Sequence, residues 1–285
     1  MTTVLSVQSS VAAGHVGNSA AVFCLQRMGV NVFPVDTLQF SNHAGAPFQG
    51  DVFPADHVAR VLNGIETFSH FDDCRAVLSG YIGTPETGTA LLNAVDAIKR
   101  KTPDAFFCCD PVIGDDGRGV FVKPEVAAFF ETAAGKADIL TPNVFELEFL
   151  SKNKLNFVQN ILDSARNLVR TRGIGAVLVT GMRANDFPRD KTGVLGVSAT
   201  EAFLIETPLL PFSQPLTGTG DCFSALFTGR FLQTRSLPAS LSHATSALFG
   251  IIENTRENGT RSLALVESQS EIVRPSRLFD VQKIF

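Results

Sequence analysis

The sequence predicts an α/β fold: a central, mostly parallel sheet with helices on both faces and a few antiparallel strands at its edge. Three observations carry that expectation. Short apolar runs alternate with stretches of helical spacing along most of the 285 residues, as strand–helix–strand units require. Ala105-Phe106-Phe107-Cys108-Cys109 is apolar throughout, which suits a strand covered on both faces. Several runs end in small, polar or glycine-bearing residues, where such sheets present their ligand-facing edge.

Val4–Val7 reads as the first strand, broken by Gln8-Ser9-Ser10. Gly14, Gly17 and Asn18 then lead into a helix from Ser19 to about Met28, with Gly29 as its stop. The Gly14-x-x-Gly17 spacing is not the dinucleotide fingerprint. Val30–Phe40 is the second strand and runs into Ser41-Asn42-His43-Ala44-Gly45, either a ligand-facing strand end or an ordinary loop. A helix follows from Pro54 to about Phe68, then the strand Ala76–Tyr81 and an amphipathic helix from Glu86 to Lys101 with Leu91, Leu92, Val95 and Ile98 on one face. The run 105–109 passes directly into Asp110-Pro111, where the acid is either a turn cap or an active-edge carboxylate.

Ala137–Leu140 leads to Thr141 at a strand end, and Pro142 opens a helix with a capping arrangement around Asn143 and Glu146. Phe157–Arg172 is a further amphipathic helix, and Gly175–Gly181 a further strand. The polar segment 183–191 reads as an exposed hairpin tip, followed by alternating antiparallel strands at 194–197 and 202–205. Two helices close the pattern, to about Thr234 and from Pro238 to about Glu253. The tail from Glu257 is polar and carries no further motif. Nothing resembles a linker or repeat, so one domain spanning 1–285 is expected.

The chemistry concentrates in Thr217-Gly218-Thr219-Gly220-Asp221. The glycines expose backbone N–H groups at the N-terminus of a helix, whose partial positive charge favours an anion. A carboxylate beside such a cradle would repel a simple phosphate ligand, yet it suits a base that deprotonates a hydroxyl attacking that phosphate. The plainer reading is an Asp capping a glycine-rich turn.

Composition narrows the classes. A net charge of −4 argues against nucleic acid as the main partner. With 45% hydrophobic residues the chain can bury a substantial core. Residues 1–30 carry no secretion signal, and no apolar run reaches membrane-spanning length, so neither a membrane nor export is expected. The five cysteines fit neither a zinc site nor a disulfide framework and point to a reducing cytoplasm.

The ordered set Gln8-Ser9, Gly14-x-x-Gly17-Asn18, Gln39-Phe40-Ser41-Asn42-His43, Leu78-Ser79-Gly80-Tyr81, Cys109-Asp110-Pro111-Val112-Ile113-Gly114-Asp115, Thr141-Pro142-Asn143-x-x-Glu146 and Gly218-Thr219-Gly220-Asp221 resembles the pyridoxal kinases of the ribokinase-like fold, over roughly residues 3–280. The resemblance implies ATP-dependent phosphorylation of the 5′-hydroxyl of pyridoxal, pyridoxine or pyridoxamine in vitamin B6 salvage. It implies Asp221 as base, and Gly218, Thr219 and Gly220 as the loop holding the transferring phosphate. It further implies a substrate set of Ser9, Val16, Phe40, His43, Ala44, Gly45, Tyr81 and Asp221. Asp110, Asp115, Thr141, Asn143, Glu146, Thr180 and Thr217, with the glycine loop, are implied around ATP. Asp110, Asp115 and Glu146 are the implied magnesium neighbours, with a monovalent cation such as K⁺ as a further expectation and a homodimer as the assembly.

Two positions depart from the pattern: Ala44 stands where many relatives have Thr, and Phe121 where several have Tyr. Two alternatives stay open. A hydroxymethylpyrimidine kinase of the same fold would tend to carry Cys at the position of Asp221, and a non-catalytic B6 carrier would have lost the base or the loop.

Overall fold

A computed structural model describes residues 2–43, 47–68, 70–260 and 262–285. Alternation along the strands sends neighbouring side chains to opposite faces, and both faces here are apolar. Leu5 and Val7 join one core and Val4 the other; Phe107 and Cys109 face one side, Phe106 and Cys108 the opposite. A strand apolar on both faces needs helices above and below it, and the chain supplies them.

The parallel centre comprises β1 (Thr3–Val11), β2 (Asn31–Phe40), β4 (Cys74–Ser79), β5 (Phe106–Cys109), β8 (Ile139–Leu140) and β9 (Ala176–Met182). β3 (Gly50–Val52) adds antiparallel to β2 at one edge. At the other edge β10 (Lys191–Ser198), β11 (Ala202–Pro208) and β12 (Gln282–Lys283) continue the sheet antiparallel, giving the order β12-β11-β10-β9-β8-β5-β4-β1-β2-β3 among the described residues. A separate two-stranded hairpin joins β6 (Gly114–Asp115) to β7 (Gly119–Val120).

One face is covered by α2 (Ala55–Thr67), α3 (Pro85–Lys101), α4 (Pro124–Ala134), α5 (Val144–Ser151) and α6 (Val158–Arg172). The other is covered by α1 (Asn18–Arg27), α7 (Thr219–Thr234), α8 (Leu237–Glu257) and the short α9 (Gln269–Val273). The expected α/β architecture is therefore present, with a mixed, mostly parallel sheet. The described residues contain no helix long and apolar enough to cross a membrane. All five cysteines are buried free thiols.

Four details differ from the sequence expectation. β4 ends at Ser79, so Tyr81 lies two residues beyond the strand. The stretch 124–134 is a helix that was not expected; Val126, Ala127, Phe129, Phe130, Ala133 and Ala134 form its buried face, while Glu125, Ala128 and Thr132 are exposed. The hairpin tip between β9 and β10 is exposed as expected except at Phe187, which is buried in the core, while Asp186 accepts the Val158 N–H at 3.0 Å. The tail after α8 is structural, since Leu263, Leu265 and Ile272 are buried and β12 extends the sheet.

Candidate active site

Parallel strands carry their C-terminal ends to one edge of the sheet. Ser9, Phe40, Gly80, Asp110, Thr141 and Thr180 consequently gather there from β1, β2, β4, β5, β8 and β9. A bridge between Asn143 and Thr180 and the Thr180 N–H bonded to Pro142 O at 2.9 Å tie the last two ends together.

α7 meets that edge with its N-terminus. Gly218 caps it in the left-handed region, φ 86°. A Cβ at Gly218 would lie 1.9 Å from the His15 carbonyl oxygen, so only glycine lets the helix start this close to the turn after β1. Cys222 N–H is the first to bond inside the helix, to Gly218 O at 2.9 Å, and no side chain caps the end. The N–H groups of Thr219, Gly220 and Asp221 thus open the helix without intrahelical partners, as an anion cradle requires.

Three acids bear on the cradle: Asp221 on the first turn of α7, Asp110 beside Gly220, and Glu146, whose charge reaches Asp110. Asp110 is buried, and Ser224, one turn below Asp221 on α7, donates to its Oδ2 at 3.3 Å while sharing a 2.9 Å bond with Thr141 Oγ1. A Cβ on Gly220 would be 3.5 Å from the same Oδ2. Burial pushes the Asp110 carboxyl well above the ordinary range, and the charges of Glu146 and Asp221 add to the rise against the Ser224 bond. Glu146 is pushed up to about 8, first by burial, although the N–H groups of Asn143 (2.9 Å) and Ile113 (3.0 Å) bond its two oxygens. Burial raises Asp221 too, partly offset by the Gly17 N–H.

None of the ion pairs among the described residues involves these three acids. Buried carboxylates without cationic side chains form a site that attracts an external cation.

Among the described residues no three His, Cys, Asp or Glu side chains converge closely enough to hold a metal. Asp115 sits on the β6–β7 hairpin, partly exposed, and pairs with Arg118. Glu146 is engaged in a reciprocal capping box with Asn143 at the start of α5, so the plainer explanation of that motif holds alongside any role in binding. Asn143 also donates to Gly114 O at 2.9 Å, linking α5 to the β6–β7 hairpin.

Beside the cradle lies a cavity of about 350 Å³. Val16, His43 and Thr217 line it, together with Gly14, His15, Thr260 and Ser262. Three expected substrate residues lie outside that lining. Ser9 packs beneath Gly17, where any Cβ would meet Ser9 O at 2.1 Å. Phe40 stacks on Phe48 with ring centroids 4.2 Å apart. Tyr81 is half-buried against the core that α2 and α3 cover, with its carbonyl accepting from Thr37 Oγ1 at 2.8 Å. Ala44 and Gly45 lie outside the described residues. The sequence reading missed Ser224, Thr260 and Ser262; Ser224 had a signal in its position one helical turn after Asp221.

A family model described as phosphomethylpyrimidine kinase matches residues 53–265. The chain is 42% identical over 286 residues to a pyridoxal kinase of Deinococcus radiodurans, covering 99% of this chain and 96% of that one. It is also 42% identical over 284 residues to a pyridoxal kinase of Rubrobacter xylanophilus, at 99% and 97% coverage. Among solved structures, a pyridoxal kinase from Leishmania donovani in complex with ADP and pyridoxine superimposes with a TM-score of 0.92, 29% identity and 99% of both chains covered.

Proposed function

The chain belongs to the pyridoxal kinase family, and from that premise we propose that it moves the γ-phosphoryl group of ATP onto the 5′-hydroxyl of pyridoxal, with pyridoxine and pyridoxamine as further acceptors. The observation that carries this reading is Asp221: a carboxylate on the first turn of α7, at the open N–H groups of a glycine cradle. Its raised pKa brings it nearer neutrality, where a base best combines ionisation with proton affinity. Asp221 takes the acceptor hydroxyl proton, and the N–H groups of Thr219 and Gly220 receive the charge of the phosphoryl group in transfer.

Mg²⁺ brought with ATP would neutralise phosphate oxygens. Asp110, a buried carboxylate outside every ion pair among the described residues, would hold it, with Glu146 and the Arg118-paired Asp115 as further proposed neighbours. Thr141, Asn143, Thr180 and Thr217 complete the nucleotide side of the proposal. Val16 and His43, on the cavity wall, are assigned to the acceptor ring; Ser9, Phe40 and Tyr81, outside that wall, and Ala44 and Gly45, outside the described residues, remain the rest of the proposed acceptor set. For Tyr81 the expected outcome is that Tyr81→Ala raises the pyridoxal KM and spares the ATP KM, while Tyr81→Phe changes little. A lower Tm with an unchanged pyridoxal KM would remove it from the set. A K⁺ requirement, a homodimer, a single domain over 1–285 and a cytoplasmic location are further parts of the proposal. Activity in potassium against tetramethylammonium buffer, sedimentation and a single unfolding transition test the first three.

The phosphomethylpyrimidine kinase description of the matching model favours one second reading, in which the acceptor is a hydroxymethylpyrimidine. An acceptor panel separates the two: ADP release is measured with pyridoxal, pyridoxine, pyridoxamine and hydroxymethylpyrimidine under Mg-ATP. Turnover with the B6 vitamers supports the proposal. Turnover with the pyrimidine alone overturns it, and binding of pyridoxal without turnover assigns the chain as a carrier.

A further inference from the structure

Part of the cavity wall comes from the distant segment after α8, through Thr260 and Ser262. Ser262 Oγ accepts the His15 N–H at 3.0 Å across 247 positions of sequence. Gly14, at φ 111°, lies close enough that a Cβ would come 3.3 Å from the same oxygen. The turn carrying Ser262 is itself fixed. Thr260 Oγ1 donates to Ser262 O at 2.8 Å, Ala264 N–H donates to the buried Thr255 Oγ1 at 3.0 Å, and Leu263 and Leu265 are buried on either side.

What Ser262 holds matters to both halves of the site. His15 and Val16 line the cavity. The His15 carbonyl is the atom against which Gly218 starts α7. The next residue but one, Gly17, has its backbone beside Asp221 and favours the ionised form of that carboxyl against burial. The other ties on this turn run to β2 and α1: Ala12 N–H to Phe40 O and Ala13 N–H to Ser41 O, both at 2.9 Å, and Ser19 Oγ to Val11 O at 2.7 Å. His15 Nδ1 also meets Ser19 O at 3.2 Å, and the Ser262 bond adds a brace from the segment after α8.

We infer that Ser262 is a positioning residue: by accepting the His15 N–H it fixes the Gly14–Val16 turn, the wall shared by the acceptor pocket and the phosphate cradle. This rests on reading the cavity as the acceptor site. A side chain locked by its own support is how a site keeps reacting groups in register, and its loss leaves the His15 N–H without its partner.

The test compares wild type with Ser262→Ala for pyridoxal KM, ATP KM, kcat and Tm. Wild-type turnover with pyridoxal is the check on the functional reading itself. Given that turnover, Ser262→Ala is expected to raise the pyridoxal KM roughly three- to tenfold, the share of one neutral hydrogen bond, with ATP KM within about twofold. An unchanged pyridoxal KM, or equal rises in both KM values, overturns the inference. If Ser262→Ala folds poorly, Ser262→Thr and Ser262→Val decide, since they match in bulk and differ in the hydroxyl. The Thr variant is expected to keep the lower pyridoxal KM, and equal values overturn the inference.

Discussion

Gly218→Ala is the sharpest perturbation of the cradle. The added Cβ would stand 1.9 Å from the His15 carbonyl oxygen, whereas real Cβ contacts begin near 3.0 Å. The obstacle is backbone, so either the turn after β1 or the start of α7 must retreat by about 1.1 Å. The residue would also occupy φ 86°, which L side chains rarely adopt. Left-handed strain costs on the order of 1–3 kcal/mol, and for a chain of this size each kcal/mol lowers Tm by roughly 2–4 °C. A displacement near 1 Å in a reacting constellation costs about 10²-fold in rate. The variant is therefore expected to melt roughly 2–12 °C lower and to lose about 10²-fold in kcat/KM for pyridoxal. Gly220→Ala provides the contrast: its Cβ would meet Asp110 Oδ2 at an ordinary 3.5 Å, and its φ is not in the positive region. That variant is expected to keep its Tm and lose activity, because the methyl occupies the approach to the N–H groups. Differential scanning fluorimetry with coupled ADP-release kinetics reads both. A Gly218→Ala enzyme with wild-type Tm and kcat/KM would refute the packing of the cradle on His15.

Two further predictions concern the acids. Ser224 donates to Asp110 and so favours its ionised form; Ser224→Ala should move the acid limb of the kcat/KM profile to higher pH, and an unmoved limb with intact folding contradicts the role given to Ser224. Glu146 keeps its proton to about pH 8 in the fold against an ordinary value of 4.5. The folded state therefore binds more protons between those values. The stability this group contributes is complete below about pH 4.5 and is lost as pH rises to about 8. The Tm of wild type minus that of Glu146→Gln should fall from about pH 5 to about pH 8, and a flat difference would contradict the burial argument.

Much of this was legible before any coordinates. Parallel strands betrayed themselves by running apolar on both faces, as at 105–109, and the helices at 85–101 and 158–172 by one-sided apolar spacing. The cradle was legible because glycine, helix start and carboxylate fall in one short segment. α4 was missed although a period was there: Val126, Ala127, Phe130, Ala133 and Ala134 recur at helical spacing, with Pro124 and Glu125 at the start and Gly135 after the end. The direction of Asp115 depends on the register of a two-residue hairpin, too short for alternation to set. Ser262 belongs to the site through one tertiary hydrogen bond to His15, and no local pattern in a polar tail encodes a contact 247 residues away.

The central claim is that the carboxylate of Asp221 removes the proton from the acceptor hydroxyl. Asp221→Asn keeps the shape of the side chain and removes its basicity. The decisive measurement is kcat for conversion of pyridoxal to its 5′-phosphate by this variant beside wild type, with ATP affinity determined in parallel. The account predicts a fall in kcat of roughly 10²–10⁴ with nucleotide affinity nearly unchanged; a turnover close to wild type would contradict it.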